Sequence, residues 1–208
     1  MDLQFLITAF FTLFVIIDPI GLMPLFVALT TGATPHHRRA IAMRAVSIGF
    51  GILVLFGFFG EAVLGFAGIS MAAFRIAGGL LLFLTALDML FERRSKRRED
   101  QANQPDIDDD DPSVFPLATP LIAGPGAIAS MILLTGETNT TLEFASVFIV
   151  LAVVLLIALI LFVLGGLLER ALGPTGVNVV TRILGMLLTA LSIQFILDGL
   201  RDVGALPY

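Results

Sequence analysis

The stretch DPIGLMP at residues 18–24 decides how this chain is interpreted, because a related stretch, TPLIAGP, returns at residues 119–125. Both stretches place two prolines five positions apart, and the first prolines of the two copies are separated by 101 positions. Further along, RIAG at 75–78 is matched by RILG at 182–185. Two apolar halves with helix-breaking residues in matching places are typical of transporters built from internal repeats.

The composition indicates that lipid is the solvent of this chain. It has 208 residues, of which 57% are hydrophobic, and soluble domains are only about 45–50% apolar. The absence of cysteine excludes disulfides and cysteine-based metal sites or nucleophiles. Seven of the 17 acidic residues lie within 99–111, and the remaining 10 acids balance the 12 basic residues. We therefore expect no nucleic-acid partner.

Six apolar runs are each long enough to cross a bilayer, which takes about 20 helical residues. The runs do not alternate polar and apolar positions, which argues against membrane strands. We therefore predict an all-α integral membrane protein with six transmembrane helices. The predicted spans are 3–29, 41–66, 71–91, 114–135, 143–168 and 178–200.

The basic residues between the runs predict the orientation. With alternating spans, ten Lys and Arg residues fall on one side of the membrane, and only Arg75 and Arg201 fall on the other. Loops rich in basic residues stay in the cytoplasm. We therefore expect both termini outside and the 92–112 loop in the cytoplasm, with its acidic part forming a disordered linker.

This linker divides the chain into two repeats of three spans each. The predicted units are a first repeat over 1–91, the linker over 92–112 and a second repeat over 113–208. An odd number of spans makes the second copy enter the membrane from the opposite side. The repeats must then be inverted, and the first helix of each is broken by its proline motif.

The broken helices predict a binding site. Unwound backbone is tolerated in lipid only inside the protein or against a water-filled cavity, so both motifs should face inward and lie near each other. A half-helix that begins after a break offers N–H groups to a carboxylate, and the freed carbonyls offer acceptors to an ammonium group or a cation. Together they suit a small zwitterion. Two proline kinks that only shape helix packing are the structural alternative.

Asp18 lies inside an apolar run, where an aspartate costs about 2.5–3.5 kcal/mol on insertion scales. Its carboxylate could bind an amino group or a cation, or it could take up and release a coupling proton. It could also cap the helix that follows the break.

Arg75, Arg182 and Gln194 are candidates for coupling or gating. The two arginines occupy matching places near the start of the third and sixth spans, where they could bind a substrate carboxylate or gate the two mouths. They could equally reach headgroups with no further role. Gln194 looks like the most buried amide of the last span, and it could hydrogen-bond a substrate or another helix.

The sequence lacks the residues that several kinds of catalytic and metal-binding site require. The sequence has no glycine-rich phosphate loop with a lysine, no paired His and acidic residues inside the spans, and no Ser and His at one membrane depth. We therefore expect no enzymatic activity, no metal site and no cofactor.

The chain resembles the MarC family of bacterial inner-membrane proteins, which is grouped with the LysE-like exporters. The segments that carry the resemblance are DPIGLMPLF at 18–26, FRIAGGLLLFLTAL at 74–87, FPLATPLIAGPGAI at 115–128 and TRILGMLLTAL at 181–191. Some relatives are classed as transporters of small neutral amino acids such as glycine and alanine, driven by protons or another cation. The resemblance extends to the predicted substrate-binding residues Asp18, Pro19, Gly21, Pro24, Thr119, Pro120, Gly124, Pro125 and Gly126.

The resemblance and the residues together favour a secondary transporter of small neutral amino acids that works by alternating access. Its expected partners are the solute, a coupling proton or cation, and membrane lipids, and a homo-oligomer is compatible with the sequence. The alternatives are an exporter or channel for another small solute, and a membrane scaffold or regulator that acts through the 92–112 loop.

Overall fold

The computed structural model describes residues 3–91, 93 and 111–205, apart from the side chains of residues 167, 169, 170, 172 and 174. Within these residues the chain forms helices joined by short turns, and no strand is present. In chain order the helices are α1 (Leu3–Ile17), α2 (Pro19–Leu29), α3 (Pro35–Phe66), α4 (Met71–Leu90), α5 (Ser113–Ile122), α6 (Pro125–Gly136) and α7 (Thr141–Asp202).

Helix α7 is divided by Gly173, whose φ of 61° lies in the left-handed region that favours glycine. The N-terminal arm, Thr141–Gly166, and the C-terminal arm, Thr175–Asp202, are each long and apolar enough to cross a membrane. They correspond to the fifth and sixth predicted spans.

The prediction of an all-α integral membrane protein is confirmed. Five helical segments of the described residues could span a membrane, and a sixth is obtained when the bent pair α5 and α6 is counted as one span. The second span begins at Pro35, six residues earlier than predicted. Thr34 caps this helix and the proline occupies its first turn, so the helix begins before the apolar run does. The predicted linker lies outside the described residues at 92 and 94–110.

Ion pairs mark the two ends of the helix bundle. At the end called here the Arg75 end, Arg75 of α4 pairs with Glu137 after α6 and with Asp202 at the end of α7. At the opposite end, called the Arg44 end, Arg44 of α3 pairs with Asp111. Helix α3 has 32 residues and is therefore about 48 Å long, which separates its start from the start of α4.

Helix α4 and the C-terminal arm of α7 pack closely and antiparallel. A Cβ atom on Gly79 would lie 2.8 Å from the Ser192 carbonyl oxygen and 2.7 Å from Ile196 Cγ1. A Cβ atom on Gly199 would lie 2.7 Å from Ile76 Cγ1. Small residues allow such backbone approach between membrane helices, so these glycines set the spacing of the pair.

The other helices pack in two groups around this pair. Helix α3 contacts α5 and α6, whereas α7 contacts α1 and α2. In the second group, Phe26 of α2 stacks on Phe162 of the N-terminal arm with ring centroids 4.6 Å apart, and both rings are fully buried. The arrangement brings α1 and α6 into contact at the middle of the bundle, where the two proline motifs lie.

Candidate functional site

The first proline motif interrupts the helix at one residue. Asp18 has a φ of +54°, in the left-handed region, and is fully buried. It caps α2, because its carboxylate accepts a hydrogen bond from the Gly21 N–H at 3.1 Å. The helical hydrogen bonds continue on both sides, from the Asp18 N–H to the Phe14 carbonyl and from the Leu22 N–H to the Asp18 carbonyl. The span therefore stays one membrane-long unit, interrupted at Asp18 only.

Gly21 makes room for the carboxylate of Asp18. A Cβ atom on Gly21 would lie 2.2 Å from Asp18 Oδ2, so any other side chain would displace the carboxylate from its cap. Pro24, three residues later, lies inside α2 without ending it. The sequence predicted a helix broken by this motif, and the structure has the break at Asp18, before Pro19, while the helix continues through Pro24.

The second motif is more strongly broken. Helix α5 is wound as a π-helix with extended backbone at Phe115 and Thr119, and the peptide bonds before Pro116 and Pro120 are cis. Helix α6 begins after Gly124 and is bent by 54° from α5. No side chain caps the start of α6. Its first N–H groups are therefore positioned to bind an anion or water.

The two motifs meet inside the bundle. A Cβ atom on Gly126 would lie 2.8 Å from Ile16 Cδ1 and 3.7 Å from Leu82 Cδ2. The start of α6 is thus pressed against the residues just before Asp18. Of the predicted binding residues, Asp18, Pro19 and Gly126 are buried, Gly21, Pro24, Pro120 and Gly124 are half-buried, and Thr119 and Pro125 are exposed.

Two buried hydroxyl groups lie one helical turn away from this contact. Thr12 precedes Ile16 by four residues in α1, and Ser130 follows Gly126 by four residues in α6. Both residues are fully buried, and neither hydroxyl has a hydrogen-bond partner within the described structure. Helix α6 ends at the Arg75 end, where the first span begins, so the two helices are antiparallel. Thr12 and Ser130 therefore lie at the same level on facing sides.

Several other hydroxyl groups bond to the backbone of their own helix, whereas the buried hydroxyls of Ser113 and Thr181 also have no hydrogen-bond partner within the described structure. Thr135 donates to the Met131 carbonyl at 2.8 Å, and Thr189 donates to the Gly185 carbonyl at 2.8 Å. This is the usual way for a membrane helix to satisfy a hydroxyl group. Sequence reasoning missed Thr12, although its place six residues before Asp18 in the same apolar run was a usable signal.

The Arg75 side chain joins three helices at the Arg75 end of the bundle. Its exposed fraction is 12%, and it lies 3.4 Å from a Glu137 carboxylate oxygen while also pairing with Asp202. Desolvation by burial raises the pKa of Glu137, an effect that Arg75 opposes and that the charges of Asp198 and Asp202 reinforce. Sequence reasoning named Arg75 but not its acidic partners, which are distant in sequence.

The other two gating candidates are exposed. Arg182 lies on an exposed face of the C-terminal arm, so the symmetric placement seen in sequence does not give it the buried environment of Arg75. The expectation that Gln194 is buried is wrong. Its amide donates to Asp198 at 2.9 Å on the outer face of the same arm. Burial of Phe195 beside it shows that the helix turns Gln194 away from the core.

Comparisons with known proteins find relatives over almost the whole chain. The matching family description is "MarC family integral membrane protein", over residues 3–203. The UPF0056 membrane protein YhcE of Escherichia coli is 36% identical over 199 residues, which cover 93% of this chain and 91% of YhcE. YvbG of Bacillus subtilis is 33% identical, covering 98% and 97% of the two chains, and an Archaeoglobus fulgidus relative is 36% identical, covering 96% and 94%. No solved structure matches the chain at a significant level.

Proposed function

We propose that this chain, which belongs to the MarC family of integral membrane proteins, is a secondary transporter of small neutral amino acids. The names of its relatives give no substrate, so the proposal rests on the residues of this chain. The observation that carries the proposal is the contact of two interrupted spans, at Ile16 and Gly126, beside buried polar groups. Interrupted helices that meet near the middle of a membrane bundle are where transporters bind solutes.

The proposal takes the chain as two inverted repeats, over 1–91 and 113–208. Three features support this. Each half contains an interrupted span followed by two long spans. The second span of each half packs on the interrupted span of the other half, and the third spans pack against each other in antiparallel fashion. Two halves related by a two-fold axis in the membrane plane are expected to contact each other through such matching pairs of spans.

The polar groups suit a small zwitterion such as glycine or alanine. The uncapped start of α6 at Gly126 offers N–H groups and a positive helix end to the carboxylate. The hydroxyl groups of Thr12 and Ser130 offer further hydrogen bonds one helical turn nearer the Arg75 end. The buried carboxylate of Asp18 supplies the negative charge that binds the amino group or the coupling proton or cation.

We propose that the protein lies in the inner membrane of a bacterial cell, with both termini outside and the 92–112 loop in the cytoplasm. The bias of ten basic residues to one side supports this orientation. Arg44 and Asp111 then lie at the cytoplasmic end, and the cluster of Arg75, Glu137 and Asp202 lies at the outer mouth, which it closes.

Counterflow in proteoliposomes tests the proposal. Vesicles that contain the protein and are loaded with unlabelled glycine or alanine should take up the labelled amino acid faster than empty vesicles. Uptake of another solute class with silence across neutral amino acids would favour an exporter or channel for that solute. Silence for every solute, with a phenotype that depends on residues 99–111, would favour a scaffold.

Removal of the Thr12 and Ser130 hydroxyl groups should weaken solute binding without harming the fold. A hydrogen bond contributes about 0.5–1.5 kcal/mol, so Thr12→Val and Ser130→Ala should each raise the half-saturation concentration about 2- to 10-fold. The thermal midpoint should stay the same or rise, because a buried unpaired hydroxyl group is lost. Thr135→Val is the matched control, since this hydroxyl bonds to its own helix. Equal saturation curves for all variants would remove the hydroxyl pair from the site.

A further inference from the structure

A second candidate binding site lies at the Arg44 end of the bundle, around Arg38. The Nε and Nη2 atoms of Arg38 are buried and have no hydrogen-bond partner within the described structure. The guanidinium carbon lies 5.3 Å from the centroid of the Phe26 ring, which is itself stacked on Phe162. The aromatic ring orients the guanidinium group but does not neutralise it.

Two glycines of the N-terminal arm hold the space for this side chain. A Cβ atom on Gly165 would lie 3.1 Å from Arg38 Nη2 and 2.9 Å from Val27 Cγ2. A Cβ atom on Gly166 would lie 3.8 Å from Arg38 Nη1. A larger residue at position 165 would therefore push the guanidinium group out of its place.

A cavity of about 180 Å³ includes Arg38 in its wall. Among the side chains that the structure describes, it is lined by Ala33, Pro35, Arg38, Arg39 and Val163, which include two arginines and no acidic residue. The cavity lies at the start of α3, and the first turn of α3 also contains no acidic residue. The positive helix end adds to the charge of the two arginines.

We propose that this cavity binds an anionic phosphate group. A guanidinium group presents its donors in a planar fork that matches phosphate oxygens, and a buried unpaired charge is costly unless such a partner is present. The site lies where α2 ends and α3 begins, at the end of two membrane-long spans, so the phosphate of an anionic phospholipid and free phosphate are the two sources. This site is separate from the meeting point of the interrupted spans and does not depend on the transport proposal.

The test measures thermal midpoints of the full-length protein in detergent with added phosphatidylglycerol, uncharged diacylglycerol or inorganic phosphate. Phosphatidylglycerol should raise the wild-type midpoint, and Arg38→Gln should weaken its apparent affinity at least about 10-fold, because a charge-assisted hydrogen bond is lost. Arg201→Gln is the matched control, since it removes an equal charge near the other end, where Arg201 pairs with Asp198. Stabilisation by inorganic phosphate alone, lost in Arg38→Gln, would identify a free anion as the occupant.

Two further variants keep the test decisive. Gly165→Ala and Arg38→Lys retain the positive charge, and both should weaken the lipid effect because the fork is displaced or replaced. Glu169 is the acidic residue that follows Gly165 most closely in sequence, and Glu169→Gln should leave the lipid effect intact. Equal lipid affinity in Arg38→Gln and Arg201→Gln would overturn the proposal. The proposal would also be overturned if the double variant Arg38→Gln/Glu169→Gln lost no more stability than either single variant. That result would show that Glu169 already neutralises Arg38 within the chain.

Discussion

Replacement of Asp18 by Asn is expected to reduce gradient-driven amino-acid uptake to background while the protein folds and inserts normally. Asn tolerates the left-handed conformation that Asp18 adopts, and its side-chain oxygen can accept the Gly21 hydrogen bond. The substitution therefore keeps the helix cap and removes only the charge. Uptake driven by an imposed proton or sodium gradient in proteoliposomes measures the loss.

Two other variants separate the role of the charge from that of the cap. Asp18→Ala removes both and should lower the thermal midpoint, because a lost cap costs about 0.5–2 kcal/mol. Asp198→Asn removes a carboxylate near the Arg75 end and should transport normally. If Asp18→Asn retained coupled uptake, Asp18 would be a structural cap with no part in coupling.

Replacement of Arg75 by Gln is expected to have the largest effect on the stability of the Arg75 end. Arg75 is mostly buried between two acidic partners, so its loss leaves Glu137 and Asp202 facing each other without a counter-ion. The unpaired groups should cost about 1–3 kcal/mol of stability. The thermal midpoint should fall well below that of Arg201→Gln, whose ion pair with Asp198 is more exposed. An equal midpoint in the two variants would show that the cluster does not stabilise this end of the bundle.

The same cluster predicts a dependence on pH. Burial raises the pKa of Glu137 in the folded protein, so protonation of Glu137 stabilises the folded protein. That contribution is fully present below the ordinary pKa of a glutamate and is lost as the pH rises through the raised value. Glu137→Gln should therefore flatten this part of the stability profile, which lies above about pH 4. The wild-type midpoint should fall relative to that of Glu137→Gln over the same range.

The sequence predicted the spans well because membrane length and hydropathy are properties of a continuous run. Asp18 and the region around Gly124 were identifiable as interruptions, since proline and glycine act locally on the backbone. The faces of the helices were harder to predict. In lipid both the outward and the inward face of a helix are apolar, so the pattern did not reveal that Gln194 points outward or that Thr12 points inward.

The sequence also could not predict which residues of different helices contact each other. The pairs of Arg75 with Glu137 and Asp202 join residues that are 62 and 127 positions apart, and only the arrangement of helices brings them together. The sequence did not show where each motif would unwind: the helix continues through Pro24 in the first motif, whereas the backbone is extended at Thr119 in the second.

The chain contains no cysteine, which allows a direct test of the solute site between the interrupted spans. Ser130→Cys introduces a single thiol of nearly the same size at this level of the bundle. Its reaction with a membrane-permeant thiol reagent should be slowed by glycine or alanine, whereas that of Thr135→Cys should not. Labelling of the Ser130→Cys variant at the same rate with and without amino acid would contradict the account.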